Sequence, residues 1–187
     1  MPENKVKFGL KNVHIAPISV SDEGVISFGT PFALPGAVNL SVDPQGDQNK
    51  FYADDMAYYV SYANNGYSGS LEIARITDKF RTEILGETMD ATDKVLVEKA
   101  NVETKEFAML YEVNGDLKAS RKLFYRCSVS RPSESAATTT NTKEPGTETL
   151  NITITPLPDG KVRANTTAET SQTAYEGWFE TVWEPTV

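Results

Sequence analysis

Apolar and polar positions alternate along most of this chain, the period-two signature of half-buried β-strands. Val6, Phe8 and Leu10 alternate with Lys5, Lys7, Gly9 and Lys11, which predicts a first strand with one face toward a core. Residues 13–20 continue the pattern but contain Pro17, which lacks a ladder N–H and suits an edge or a bulge. A turn at Ser21-Asp22-Glu23-Gly24 leads into another strand over 25–28. Val38, Leu40 and Val42 alternate with Asn39, Ser41 and Asp43, and the polar run 43–50 reads as a projecting loop. Tyr58, Val60 and Tyr62 predict a strand, Asn64-Asn65-Gly66 a hairpin turn, and residues 67–75 the returning strand, with Leu71 and Ile73 on one face.

The clearest helical signal covers 78–85. Thr77 or Asp78 can cap it, Phe80, Ile84 and Leu85 share one face, and Gly86 supplies a left-handed stop. After a polar connection and a short strand at 95–97, Phe107, Met109, Tyr111 and Val113 share a face. Asn114-Gly115 predicts the turn of a second hairpin, whose return places Leu123, Tyr125, Cys127 and Val129 together. That arm exceeds the usual strand length, so it is expected to bend or to span two packing layers. Residues 131–149 hold no large apolar side chain before Leu150 and read as a second projecting arm, ordered only against neighbours. Leu150, Ile152 and Ile154 open a last hairpin, with a turn at 156–160 and a return over 161–167. In the tail, 168–187, Trp178, Phe179, Val182 and Trp183 are too aromatic to stay in water, and docking on the same domain or on a neighbour is expected. About ten strands and one helix together predict a mainly β protein: an antiparallel two-sheet sandwich or barrel with one short flanking helix.

Composition narrows this to one domain over residues 1–187, since that length supports a single proper core. The formal charge of -8 argues against sequence-independent nucleic-acid binding, which needs cations on the phosphates. One cysteine, Cys127, excludes an internal disulfide framework and is expected to be a small buried hydrophobe. No apolar signal-peptide region and no membrane-length run occurs, so an aqueous, reducing compartment without Sec export is expected. Two glycosylation sequons, at Asn151 and Asn165, are therefore read as chance.

Catalytic chemistry is hard to find. The single histidine, His14, has no partners at a spacing suited to a metal or a triad, and a structural or surface role is expected. Asp54-Asp55 beside Tyr52, Tyr58, Tyr59 and Tyr62 could be a glycosidase-like carboxylate pair with aromatic platforms. Adjacent strand residues point to opposite faces, however, so a turn with tyrosines at its rim is the better reading. A calcium site from Asp43, Asp47, Asp54 and Asp55 matches no known loop spacing. No catalytic residue, no cofactor and no metal ligand is assigned.

Several short stretches stand in a particular order and spacing along the chain. These stretches are Phe8-Gly9-Leu10-Lys11-Asn12-Val13, Phe51-Tyr52-Ala53-Asp54 with Tyr58-Tyr59, and Gly66-Tyr67-Ser68-Gly69-Ser70-Leu71-Glu72 leading to Phe80 and Ile84-Leu85-Gly86. Phe107-Ala108-Met109-Leu110-Tyr111-Glu112, Leu123-Phe124-Tyr125-Arg126-Cys127, Arg131-Pro132 and Glu148-Thr149-Leu150 continue the series. Together, over nearly the whole chain, their order and spacing resemble the major tail protein, the tail-tube subunit of long, non-contractile-tailed bacteriophages of Gram-positive hosts. The resemblance implies a tail-tube fold and a structural virion protein, assembled in the host cytoplasm as hexameric rings stacked into a tube. It implies as partners further copies of the chain, a tape-measure protein and tail-terminator and distal tail proteins. Double-stranded DNA would pass through the bore without specific binding, and no membrane is involved. Some members carry an additional immunoglobulin-like module at the C-terminus, and none is expected here. An acidic bore suits such transit, because carboxylates repel DNA within about 10 Å where cations would hold it. Deleting 133–146 is expected to leave a folded monomer that does not polymerise. The alternative is a carbohydrate- or receptor-binding β-sandwich module that uses the tyrosines as stacking platforms.

Overall fold

The computed structural model describes residues 4–138 and 145–185. The chain forms β1 (Lys7–Val20), β2 (Ile26–Phe28), β3 (Phe32–Ala33), β4 (Ala37–Pro44), β5 (Gln48–Ala53), β6 (Met56–Tyr62) and β7 (Tyr67–Ile73). Helix α1 (Asp78–Glu83), β8 (Thr88–Met89), β9 (Leu96–Val97), β10 (Phe107–Gly115), β11 (Ser120–Val129), β12 (Glu148–Ile154) and β13 (Arg163–Asn165) follow. Helix α2 (Gln172–Glu176) and a 3-10 turn (Gly177–Phe179) close the described chain. The fold is mainly β and antiparallel, consistent with a sandwich.

The main sheet runs β2-β1-β10-β11-β12-β7-β4, and it curls until β4 approaches β1 without forming a backbone ladder with it. Alternation then places two sets of side chains on opposite faces of β1, β10 and β11. The inner set, including Val13, Ile15, Phe107, Met109, Phe124 and Cys127, packs against Leu71, Ile73, Leu150 and Ile152 of β7 and β12. The outer set, Ala16, Ala108, Leu110, Leu123 and Tyr125, packs under Leu157 and Trp178. Helix α1 plugs the inner core as its sequence requires: Thr77 Oγ1 accepts from the Phe80 N–H, and Phe80 meets Phe107 edge-on at 5.8 Å. Ile84 and Leu85 are buried just past the helix end, and Gly86 takes the left-handed φ of 74° there. Arg81 ties the helix to β12 of the sheet through Glu148 at 3.1 Å and to the segment after the helix through Glu87 at 3.2 Å. At Gly69, a Cβ would lie 1.9 Å from the Ser41 carbonyl oxygen, so only glycine lets β4 close on β7 there.

Several local expectations change. Val6 and Phe8 do not face the core: both are exposed, because Asn12 at φ 53° and irregularities in the β1–β10 register reset the alternation before Val13. The polar run 43–50 is not a loop. Its residues end β4 and begin β5, which pairs with β6. The turn of that hairpin is Asp54-Asp55, at φ 51° and 58°, and not Asn64-Asn65-Gly66. Residues 64–66 instead join β6 to β7, with Gly66 pressed against the Ile154 carbonyl, where a Cβ would lie 1.9 Å away. Asn114-Gly115 likewise stays in β10, paired toward β1, and the reversal runs through 116–119.

On β11, a register shift opposite Phe107 and Met109 splits the expected face: Leu123 and Tyr125 go outward, Cys127 and Val129 inward. This strand does serve two packing layers. Residues 161–167 do not fold back on β12. β13 resumes the pairing along the same side of β11 after a detour that sends Leu157 into the outer core. The described parts of the 131–149 arm are exposed over 133–138, while Arg131 is anchored to Glu98 at 3.1 Å. The expectation for 139–144 lies outside the described residues. The C-terminal segment docks on its own domain: Trp178 is buried, and Tyr125 donates its hydroxyl proton to the Trp183 carbonyl at 3.0 Å.

Candidate functional site: a projecting two-stranded arm

β4 and β7 pair down to Pro44 and Tyr67, and the ladder continues past the sheet. Gln45 N–H donates to the Gly66 carbonyl, Asn65 N–H to Gln45, and Ala63 N–H to Asp47. At Gly46 a Cβ would lie 1.9 Å from the Ala63 carbonyl oxygen, so glycine permits the two strands to stay close at this joint. Beyond it, β5 and β6 run as a lone pair to the Asp54-Asp55 tip, about 20 Å further at roughly 3.3 Å per residue.

Neither face of this arm packs on a core among the described residues. The register puts Phe51 opposite Tyr59 on one face, and Lys50 opposite Val60 and Gln48 opposite Tyr62 on the other. Phe51, Tyr52, Met56, Tyr58, Tyr59 and Tyr62 are all exposed, Tyr58 at 71% and Tyr62 at 75%. A contact between Gln48 Nε2 and the Tyr62 hydroxyl at 2.7 Å is the arm's one side-chain hydrogen bond among those described. Large aromatic side chains on both faces of a two-stranded ribbon are costly in water, and such ribbons are marginal alone.

The carboxylates considered for chemistry are placed accordingly. Asp54 and Asp55 occupy the exposed tip, while Asp43 and Asp47 lie at the base, so the four do not converge. Among the described residues, no group of three or more potential metal ligands comes together. His14 sits in β1, donating Nδ1–H to the Asn12 carbonyl at 3.0 Å and packing against the Phe179 ring at 4.7 Å. It borders a shallow cleft of about 310 Å³ between β1 and the 33–37 segment, with Lys11 as the other ionisable group there. Cys127 is fully buried, and burial pushes its thiol up, away from the reactive thiolate.

Two edges of the sheet are also free among the described residues. β4 ends the strand order with no outer partner, and residues 7–12 of β1 pair with β10 alone. The sequence missed the arm because its alternating residues suit a strand equally well with either neighbour. The signal that could have revealed it was the absence of a polar face in 51–62. No helix among the described residues is long and apolar enough to cross a membrane. Comparison with protein-family profiles and with curated proteins finds no match to this chain.

Proposed function

We propose that this chain is a structural subunit that polymerises with copies of itself, as stacked rings forming the tail tube of a bacteriophage. The observation that carries the reading is the β5–β6 arm: a ribbon with aromatic residues on both faces and no packing partner among the described residues. Burial against another copy removes that cost, at roughly 25 cal/mol per Å² of apolar surface covered. The open edge of β4 and the unpaired side of β1 add backbone donors and acceptors that a neighbouring sheet can satisfy. A net charge of -8 suits a wall past which DNA slides without being held.

Negative-stain electron microscopy of concentrated protein tests this directly. Rings or tubes are expected, and a monodisperse monomer at high concentration overturns the proposal. The exposed tyrosines favour a second reading, a module that stacks sugars on Tyr58 or Tyr62. That reading expects saturable binding to cell-wall glycan, weakened by Tyr58→Ala in a protein that stays monomeric.

A further inference from the structure

The end of the barrel from which the arm springs also carries a cluster of like charges. Lys7 opens β1 beside Gly115, Lys122 lies in β11 opposite Asn165, and Arg163 opens β13 opposite Phe124. Arg163 holds its guanidinium 5.5 Å from the ring of Tyr67, the first residue of β7 at the arm's base. None of these three cations forms an ion pair with a described carboxylate, although the protein carries an excess of eight negative charges. Burial, and then the charges of Lys7 and Arg163, hold the Lys122 ammonium below its usual range, as expected where cations crowd without a counter-charge. Val6, Phe8 and Leu117 stand exposed at the same end.

The arm's tip has the complementary character. A two-residue turn with both positions at positive φ favours Asn, Asp and Gly, and this turn holds Asp54 and Asp55. The turn therefore sets two like carboxylates side by side at the exposed end of the arm. The tip lies about 20 Å from the base of its own arm, too far to reach the cations there.

We propose that the Asp54-Asp55 tip of one copy docks on the Lys7, Lys122 and Arg163 cluster of a second copy, with the arm's aromatic residues covering Phe8 and Leu117. This rests on the self-assembly reading and names the surface that receives the arm. Donor and acceptor are different patches, so a copy giving its tip to one neighbour can receive that of another. Such a contact closes into a ring or runs on as a filament. Charge pairing fixes which end meets which and speeds encounter, while the aromatic burial supplies affinity.

A double-mutant cycle on assembly of the full chain tests it. The critical concentration is read by sedimentation and electron microscopy for wild type, D54N/D55N, K7Q/R163Q and the combination. Circular dichroism checks that each remains folded, which is expected because the four positions are exposed. Each pair of changes is expected to raise the critical concentration about tenfold, as for loss of close interfacial charge pairs. The combination is expected to cost little more than either pair alone, because both remove the same contact. Independent losses that multiply, or no loss from K7Q/R163Q, overturn the docking proposal. A wild type that never assembles overturns the self-assembly reading and this inference with it.

Discussion

Glu112 shows how one buried charge holds three strands and the tail together. It lies on β10 opposite Lys11 of β1 and Arg121 of β11, with pairs at 3.0 and 2.8 Å. Arg121 also donates to the Tyr175 carbonyl and sits 3.9 Å over that tyrosine's ring, so the carboxylate anchors α2 through its cation. Burial by itself raises the Glu112 pKa, but the hydrogen bonds and charges of Lys11 and Arg121 outweigh it and hold the carboxyl below its usual range. The stability this gives is present above the unfolded carboxylate pKa of about 4 and is lost as pH falls through the lower folded value. Glu112→Gln leaves Arg121 half-compensated beneath the tail and is expected to cost about 3 kcal/mol at neutral pH. Urea titrations from pH 7 to pH 3 check both points: the variant is less stable at neutrality, and its stability falls less steeply into acid than that of wild type.

At the level of elements, the strands that were legible are those with one buried face. The inward alternation of Phe107, Met109 and Tyr111 survives intact, as does α1 with its Thr77 cap and Gly86 stop. What was not legible is pairing. Asn64-Asn65-Gly66 and Asn114-Gly115 are stronger local turn signals than Asp54-Asp55, but tertiary contacts with Ile154 and with β1 override both. Bulges are equally silent in sequence, and the shift on β11 moves Cys127 to the face opposite Tyr125. The candidate site was half visible: its tyrosines and aspartates stood out, but not that they belong to one unsupported ribbon.

That ribbon is separable from the fold. Replacing residues 46–64 with a two-residue Asn-Gly turn is expected to change unfolding free energy by less than about 0.5 kcal/mol, since exposed side chains are lost. The same deletion is expected to abolish rings and tubes. A large drop in denaturation midpoint would show instead that the arm supports its own barrel.

For the whole molecule, the central question is whether two cores make one cooperative unit. β1, β10 and β11 line the inner core with one face and the outer core with the other. The outer core is closed by the tail, where Trp178 is buried and stacks on Trp183 at 6.2 Å. Disrupting the outer layer therefore removes support from strands that the inner layer needs, and the two cannot melt apart without breaking shared backbone ladders. Trp178→Ala empties a large aromatic site and is expected to cost about 3–5 kcal/mol. Far-ultraviolet circular dichroism follows the sheet, while fluorescence of the remaining Trp183 follows the tail. Both are expected to shift together to lower denaturant in a single transition. If the fluorescence change came first and left the sheet intact, the tail would be a separate unit laid over a self-sufficient barrel, and the shared strands would not couple the layers.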